Sequence, residues 1–397
     1  MNLKNLTEKF LEIYGKSNNK IRFFTAPGRV NLIGEHIDYC GGYVFPAALT
    51  LSTTVAVRYN ETNTVRMAAT DLDGIYLCNL DDLEAAKNLK WGNYQAGMIK
   101  ELSLRGYKFS GMDMLFTGTL PFGSGLSSSA SIEMATGIAL INMADNKNEI
   151  NLSNIDVAVC GKACENNFCG VNCGIMDQFA SAMGKKNHAM LLNCASLGYE
   201  YVPLELGEYV LVLANTCKKH SLGASKYNER RAEVTKGLEI MNTLCGYNRE
   251  NLCDYSISEL EGVKDKFADS LIYQRVYHVI SENERVKTAV NILKEGKLTE
   301  FGKILCQAND SIRHNYEVTG SELDAMYDAA MTQTADANVL GCRMTGAGFG
   351  GCTVNLVRET YVDKFIELTG RLYTEKTGII PEFYVCSIGD GAREIHE

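Results

Sequence analysis

The sequence predicts a two-lobed globular protein that mixes helices and strands, and three observations lead there. A chain of 397 residues exceeds what one hydrophobic core comfortably fills, since domains run to about 100–200 residues. Its 46% hydrophobic and 22% charged residues are the proportions of an ordinary folded protein, neither disordered nor fibrous. Apolar periodicity also switches along the chain between the two-residue repeat of half-buried strands and the spacing of helices. Two lobes imply a cleft between them.

The first element is a helix, with Leu3, Leu6, Phe10, Ile13 and Tyr14 at helical spacing and none of the continuous apolar core of a signal peptide. IRFFTA at 21–26 reads as a strand, as does the alternating run through Ala47, Leu49, Leu51, Val55 and Val57. Between them lies a polar loop bounded by Pro27 and Pro46. GMDMLFTGTL at 111–120 is a further strand; PFGSGLSSSAS follows it and leads into a helix through Ile132, Ala135, Ile138 and Leu140. YVLVLANT at 209–216 opens the second lobe, a helical stretch follows from about Ala224 to Ala335, and strands are expected at CTVNLV and at EFYVCSI, 382–388.

A net charge of -9 offers no long-range attraction to nucleic acid or anionic lipid, so neither is expected as a partner. Apolar runs fall short of the ~18 residues needed to cross a bilayer, which points to a cytoplasmic protein. Fourteen cysteines then read as reduced packing thiols. Cys160, Cys164, Cys169 and Cys173 cluster, but not at the paired spacing of structural zinc ligands.

Local donors must therefore hold any anion. Gly123 and Gly125, followed by Ser127, Ser128 and Ser129 at a helix start, combine free N–H groups, hydroxyls and a positive helix terminus suited to phosphate. A serine-capped helix is the plainer reading of the same residues. The Walker pattern GxxxxGK[ST] does not occur. Gly346, Gly348 and Gly351 satisfy GxGxxG, but a strand follows them, which rules out a dinucleotide fingerprint.

APGRVNLIGEHIDY at 26–39, PFGSGLSSSA at 121–130 and GCRMTGAGFGGC at 341–352 together resemble the three motifs of the GHMP kinases, the family of galactokinase, homoserine kinase, mevalonate kinase and phosphomevalonate kinase. The first motif looks like the galactokinase signature. The likeness extends to WGNY at 91–94, CENNFCGVNCGIMDQF at 164–179 and KYNERR around Tyr227. This resemblance implies an α+β fold, with an N-terminal ribosomal-protein-S5-like domain over 1–200, a C-terminal ferredoxin-like domain over 201–397, and the active site between them. It implies ATP-dependent phosphorylation of α-D-galactose at its anomeric hydroxyl, with Mg2+ as cofactor, galactose and ATP as small-molecule partners, and a monomer or weak homo-oligomer.

By the same resemblance, Asp177 is the catalytic carboxylate, with Arg29 beside it to keep it ionised and to stabilise developing charge. Ser129 and Glu165 match the magnesium ligands. Glu35, His36, Ile37, Asp38, Gly174 and Tyr227 match sugar contacts. Gly123, Ser124, Gly125, Leu126, Ser127, Ser128 and Ser129 match the nucleotide loop, with Trp91 and Tyr94 at the adenine pocket. Ile37 and Cys40 depart from the Thr and Asn common in the signature, and Asn166 stands where His is common. Two alternatives stay open: a kinase for N-acetylgalactosamine or another hexose, and a non-catalytic galactose sensor.

Overall fold

A computed structural model describes residues 2–121, 123–218 and 223–396, the side chains of 223–225 excepted. The chain opens with α1 (Leu3–Tyr14), whose first turn is closed by the Asn2 side chain accepting from the Asn5 amide at 2.9 Å. Among the described residues, a six-stranded sheet follows in the order β13-β1-β3-β6-β4-β5. Its strands are β1 (Arg22–Asn31), β3 (Pro46–Tyr59), β4 (Thr64–Ala69), β5 (Leu72–Asn79), β6 (Met112–Gly118) and β13 (Arg393–Ile395). Adjacent residues of β1 point to opposite faces. Phe23 packs with Leu6 and Phe10 of α1, while Phe24 joins the main core. Helices α2 (Gly92–Ser103), α3 (Ser128–Met143), α4 (Asn154–Ala163) and α5 (Met176–Met183) pack together, and both α3 and α5 lie against β1 and β3.

A smaller sheet joins β2 (Tyr43–Val44), β7 (His188–Asn193) and β8 (Tyr199–Pro203). A four-stranded antiparallel sheet follows, built from β9 (Tyr209–Asn215), β10 (Val339–Thr345), β11 (Cys352–Arg358) and β12 (Glu382–Cys386) in the order β10-β11-β9-β12. Between β9 and β10 run α6 (Gly223–Cys245), α7 (Ile257–Val263), α8 (Ser270–Lys294), α9 (Leu298–Ser311) and α10 (Gly320–Met331), and α11 (Val362–Thr377) separates β11 from β12. This is the mixed architecture of strands and helices expected from the sequence.

Two expectations need correction. The polar loop does not begin at Pro27, because β1 continues to Asn31. Its pairing with β3 shifts register between Pro27 and Arg29, and that irregularity accommodates a proline that lacks a ladder donor. The chain end is also not confined to the second half. Strand β13 returns to pair with β1, Phe23 opposite Ile395.

A buried charge network ties β10, α8 and the loop after β1 together. Arg343 is wholly buried and donates to Glu35 Oε2 at 2.6 Å, with Glu282 Oε1 3.9 Å from its other terminal nitrogen. Glu282 also accepts from the Gly34 amide at 3.0 Å and from Arg285 at 2.8 Å. Removing the central cation would leave two buried carboxylates short of a partner. Arg343→Met should therefore lower the folding free energy by about 3–5 kcal/mol, read as a lower urea midpoint at unchanged slope.

Candidate active site

The loop from Leu32 to Tyr43 turns back between strands and aims its polar residues at a cavity of about 230 Å³. Backbone geometry sets this aim. His36 sits in the left-handed region at φ 61°, a conformation uncommon for a residue with Cβ and held here by its surroundings. Its Nε2 donates to Ala347 O at 3.1 Å, so Nδ1 is the acceptor, 2.8 Å from the Tyr39 hydroxyl, which in turn accepts from Tyr316 at 2.8 Å. Burial pushes the imidazole down to about 4, which keeps it neutral. Both ring nitrogens are thus engaged within the protein.

Asp177 stands in the first turn of α5, at the floor of the cavity. Arg29, on β1, grips it with two parallel bonds, Nε to Oδ1 at 2.8 Å and Nη2 to Oδ2 at 2.9 Å. The guanidinium side chain is 4% exposed, whereas the carboxylate is 31% exposed, so the ion pair presents its negative partner to the cavity. Arg29 Nη1 also donates to Gly125 O at 2.8 Å, and the Ser127 hydroxyl donates to Asp177 Oδ2 at 2.5 Å. The glycine- and serine-rich loop is thereby joined directly to the aspartate.

That loop departs from a simple helix cap. Ser127 occupies the cap position with φ 60°, yet it makes no capping bond to the helix, since its hydroxyl is turned to Asp177. Ser124 bonds back to Pro121 O at 2.9 Å and is buried, as is Leu126, so these two offer only backbone to a ligand. Gly123 and Gly125 are exposed and in the left-handed region, and Ser128 and Ser129 are half-buried at the helix start. The third glycine motif backs this loop: a Cβ at Gly346 would lie 3.0 Å from Gly125 O, and one at Gly351 3.3 Å from Ser124 O.

Around the same cavity, Asp38 packs against Gly174 so closely that a Cβ there would fall 1.8 Å from Asp38 Oδ2. Burial, with the nearby Asp177 charge adding, pushes the Asp38 carboxyl up to about 6. Glu165, on the wide helical turn Cys164–Cys169, is buried with its carboxyl pushed up by burial, and the Cys173 thiol and Ser129 hydroxyl beside it favour its charged form. The Tyr227 ring lies 5.5 Å from both His36 and Tyr39. Glu35 also borders the cavity, although Asn31, Arg343 and the Gly346 amide already occupy its oxygens.

Arg29, Glu35, His36, Asp38, Glu165, Gly174, Asp177 and Tyr227 therefore meet in one place. Ile37 does not: it is fully buried in the hydrophobic core and does not border the cavity, because the turn that points His36 and Asp38 inward directs the intervening side chain the other way. Trp91 and Tyr94 do not border it either. Trp91 packs edge-on between Tyr76 and Phe116 with its Nε1 buried and unpartnered, while Tyr94 lies near Glu165. Tyr39, Val171, Cys173 and Asn228 border the cavity without having been expected there. Tyr39 ends the first motif and Asn228 adjoins Tyr227, so adjacency was the signal available for both.

Comparison with known proteins fits this geometry. A galactokinase galactose-binding signature matches residues 8–59, the GHMP kinase N-terminal domain matches 93–185, and the GHMP kinase C-terminal domain matches 289–367. The chain is 45% identical over 398 residues to the galactokinase of Clostridium tetani, covering 100% of this chain and 98% of that one. The chain belongs to the galactokinase family of GHMP kinases. Its identity to the Bacillus subtilis galactokinase is 43%, with 97% of each chain covered. Lactococcus lactis galactokinase, solved in complex with galactose, superposes with a TM-score of 0.93 at 40% identity over 99% of this chain and 100% of that one. The Methanococcus jannaschii mevalonate kinase shares the fold at a TM-score of 0.64 and 18% identity, over 94% of this chain and 100% of that one.

The Asp38 carboxyl binds its proton more tightly folded than unfolded, so its contribution to stability is fully present below 3.8 and is lost as pH rises to about 6. Carboxyl carbon NMR should locate the Asp38 midpoint near 6. Asp177→Asn should move it down, because the substitution removes the second cause of the shift.

Proposed function

We infer that this galactokinase-family enzyme transfers the γ-phosphoryl group of ATP to the anomeric hydroxyl of α-D-galactose, giving ADP and α-D-galactose 1-phosphate. The observation supporting this reading is Asp177, an accessible carboxylate on a buried arginine, placed where a sugar-sized cavity meets the glycine- and serine-rich loop. A hydroxyl turned toward Asp177 gives up its proton to that carboxylate as its oxygen bonds to phosphorus, while the bond from the γ-phosphorus to the bridging oxygen breaks and its electron pair leaves with ADP. Arg29 holds the carboxylate aimed, and through Gly125 O it fixes the distance between base and phosphate loop.

Sugar hydroxyls are met by Asp38, the Gly174 backbone, Tyr227 and the rim formed by Glu35 and His36. The engagement of Glu35 and His36 within the protein suggests that they act partly by shaping the loop. The exposed backbone of Gly123 and Gly125 and the hydroxyls of Ser128 and Ser129 hold phosphate, with Trp91 and Tyr94 on the nucleotide side. Ser129 and Glu165 suit Mg2+: both offer hard oxygen, and a cation beside a carboxylate whose burial disfavours its charge restores the ionised form. When bound, the ion neutralises charge on the nucleotide phosphates. A lobe boundary near residue 200, with the terminal strand returning to the first lobe, is part of the same proposal.

Asp177→Ala should abolish ADP release in a coupled assay while leaving circular dichroism unchanged; substantial retained turnover would remove Asp177 from this role. The same assay across a panel of free hexoses, N-acetylgalactosamine included, should give its highest kcat/KM on galactose, and a better substrate would reassign the sugar.

A further inference from the structure

We propose that Glu133 and Gln178 form a buried polar clip that fixes the nucleotide-loop helix against the helix bearing Asp177, making both of them positioning residues for phosphoryl transfer. The proposal rests on the kinase reading above. Glu133 lies one helical turn beyond Ser129 on α3, on the same face. Gln178 immediately follows Asp177 in α5. Both side chains are wholly buried, and the Gln178 amide donates to Glu133 Oε2 at 3.0 Å. One directed bond therefore joins the second turn of α3 to the first turn of α5, the two helices whose N-terminal ends hold the phosphate loop and the aspartate.

A third helix closes on the pair. A Cβ at Gly161 of α4 would lie 2.9 Å from Gln178 Cγ and 3.3 Å from Glu133 Oε2, so neither side chain has slack. The same amide nitrogen lies 3.9 Å from Cys173 Sγ, and Cys173 borders the cavity. Gln178 thus touches both the nucleotide helix and the segment leading into Asp177.

Stability does not account for a polar pair here. Glu133 Oε1 and Gln178 Oε1 are both buried without a partner, and such orphaned oxygens are unfavourable. The neighbours Met134, Phe179 and Ala180 are apolar and fully or nearly buried, and an apolar side chain at either position would pack among them. Packed apolar faces, however, let one helix slide along another, whereas a directed hydrogen bond between them fixes axial register. Arg29 and Ser127 orient the carboxylate by its oxygens, and the clip locates the backbone from which it projects. A register error of about 1 Å at a reacting group can lower a rate by about a hundredfold.

The test uses the full-length protein with galactose and ATP in the ADP-release assay, alongside thermal melts. Gln178→Met should lower kcat by about 10- to 100-fold, with KM for both substrates within about threefold of the parent value and Tm equal or higher. Glu133→Gln keeps an acceptor oxygen and should retain kcat within about twofold. Glu133→Met should match Gln178→Met, and the double variant should be no slower than the slower single, since both remove one contact. A folded Gln178→Met with parental kcat overturns the clip, as do losses that multiply in the double variant. Should Gln178→Met fail to fold, Gln178→Asn withdraws the amide by one methylene and carries the same expectation; parental kcat there overturns the clip equally. Absence of ADP release from the parent protein would overturn the kinase reading and the clip together, whereas an active parent with unaffected variants sinks the clip alone.

Discussion

The bidentate contact between Arg29 and Asp177 is the constraint from which the site is built. A guanidinium cannot shed its charge, and one buried to 4% exposure must keep its carboxylate or bear a large desolvation cost. That requirement fixes α5 against β1. The third arm of Arg29, donated to Gly125 O, fixes the phosphate loop to the same point. Each oxygen of Asp177 takes one arginine bond and Oδ2 also takes the Ser127 hydroxyl, so the group reaching the cavity is oriented before any ligand arrives. Preorganisation of this kind removes ordering entropy from the reactive step.

Acidic groups around this centre then divide by environment. Asp177 is held by a full cation and is partly open to solvent. Asp38, Glu165 and Glu133 are all pushed upward by burial first, with neighbouring acid groups adding: Asp177 for Asp38 and Glu165, and Glu165 for Glu133. The carboxylates around the cavity are thereby held in different surroundings. Placing titratable groups in contrasting surroundings is a general means of assigning acid and base roles within one site. The neutral His36, held between Tyr39 and the Ala347 carbonyl, extends the same logic to an imidazole.

The sequence disclosed what is local. Alternation in Ala47–Val57 and helical spacing after Ser129 were legible as backbone period, and the stretches at 26–39, at 164–179 and around Tyr227 supplied the eight expected residues that line one cavity. Strands β4, β5, β7 and β8 went unread; they lie in stretches whose alternation is interrupted by polar residues, and their pairing comes from distant segments. Arg343, Tyr316 and Gln178 were unread for another reason. Each acts on a partner distant in sequence, Arg343 on Glu35, Tyr316 on Tyr39 and Gln178 on Glu133, and no spacing rule encodes such contacts. Trp91 and Tyr94 lie apart from the cavity that the other expected residues line, Trp91 packing between Tyr76 and Phe116, and their place on the nucleotide side belongs to the proposal.

The burial of Ile37 changes how the departures in the first motif act on specificity. Ile37 and Cys40 are both in the core, and neither side chain borders the cavity. Their influence passes through backbone: the Ile37 carbonyl accepts from the Cys40 and Gly42 amides at 3.1 and 2.9 Å, closing the turn that presents Asp38. A Cβ at Gly42 would meet Ile37 Cδ1 at 2.9 Å and Cys253 Sγ at 2.7 Å, so the underside of the turn is already filled. Asp38 in turn abuts Gly174 with no room for a methyl group. A larger or smaller residue at 37 or 40 therefore tilts Asp38 as a unit with its turn, and it has nowhere to go except into or out of the cavity. On the proposed reading of Asp38 as a sugar contact, a change at 37 or 40 would act on selectivity through the core beneath the pocket, by way of the position of one carboxylate.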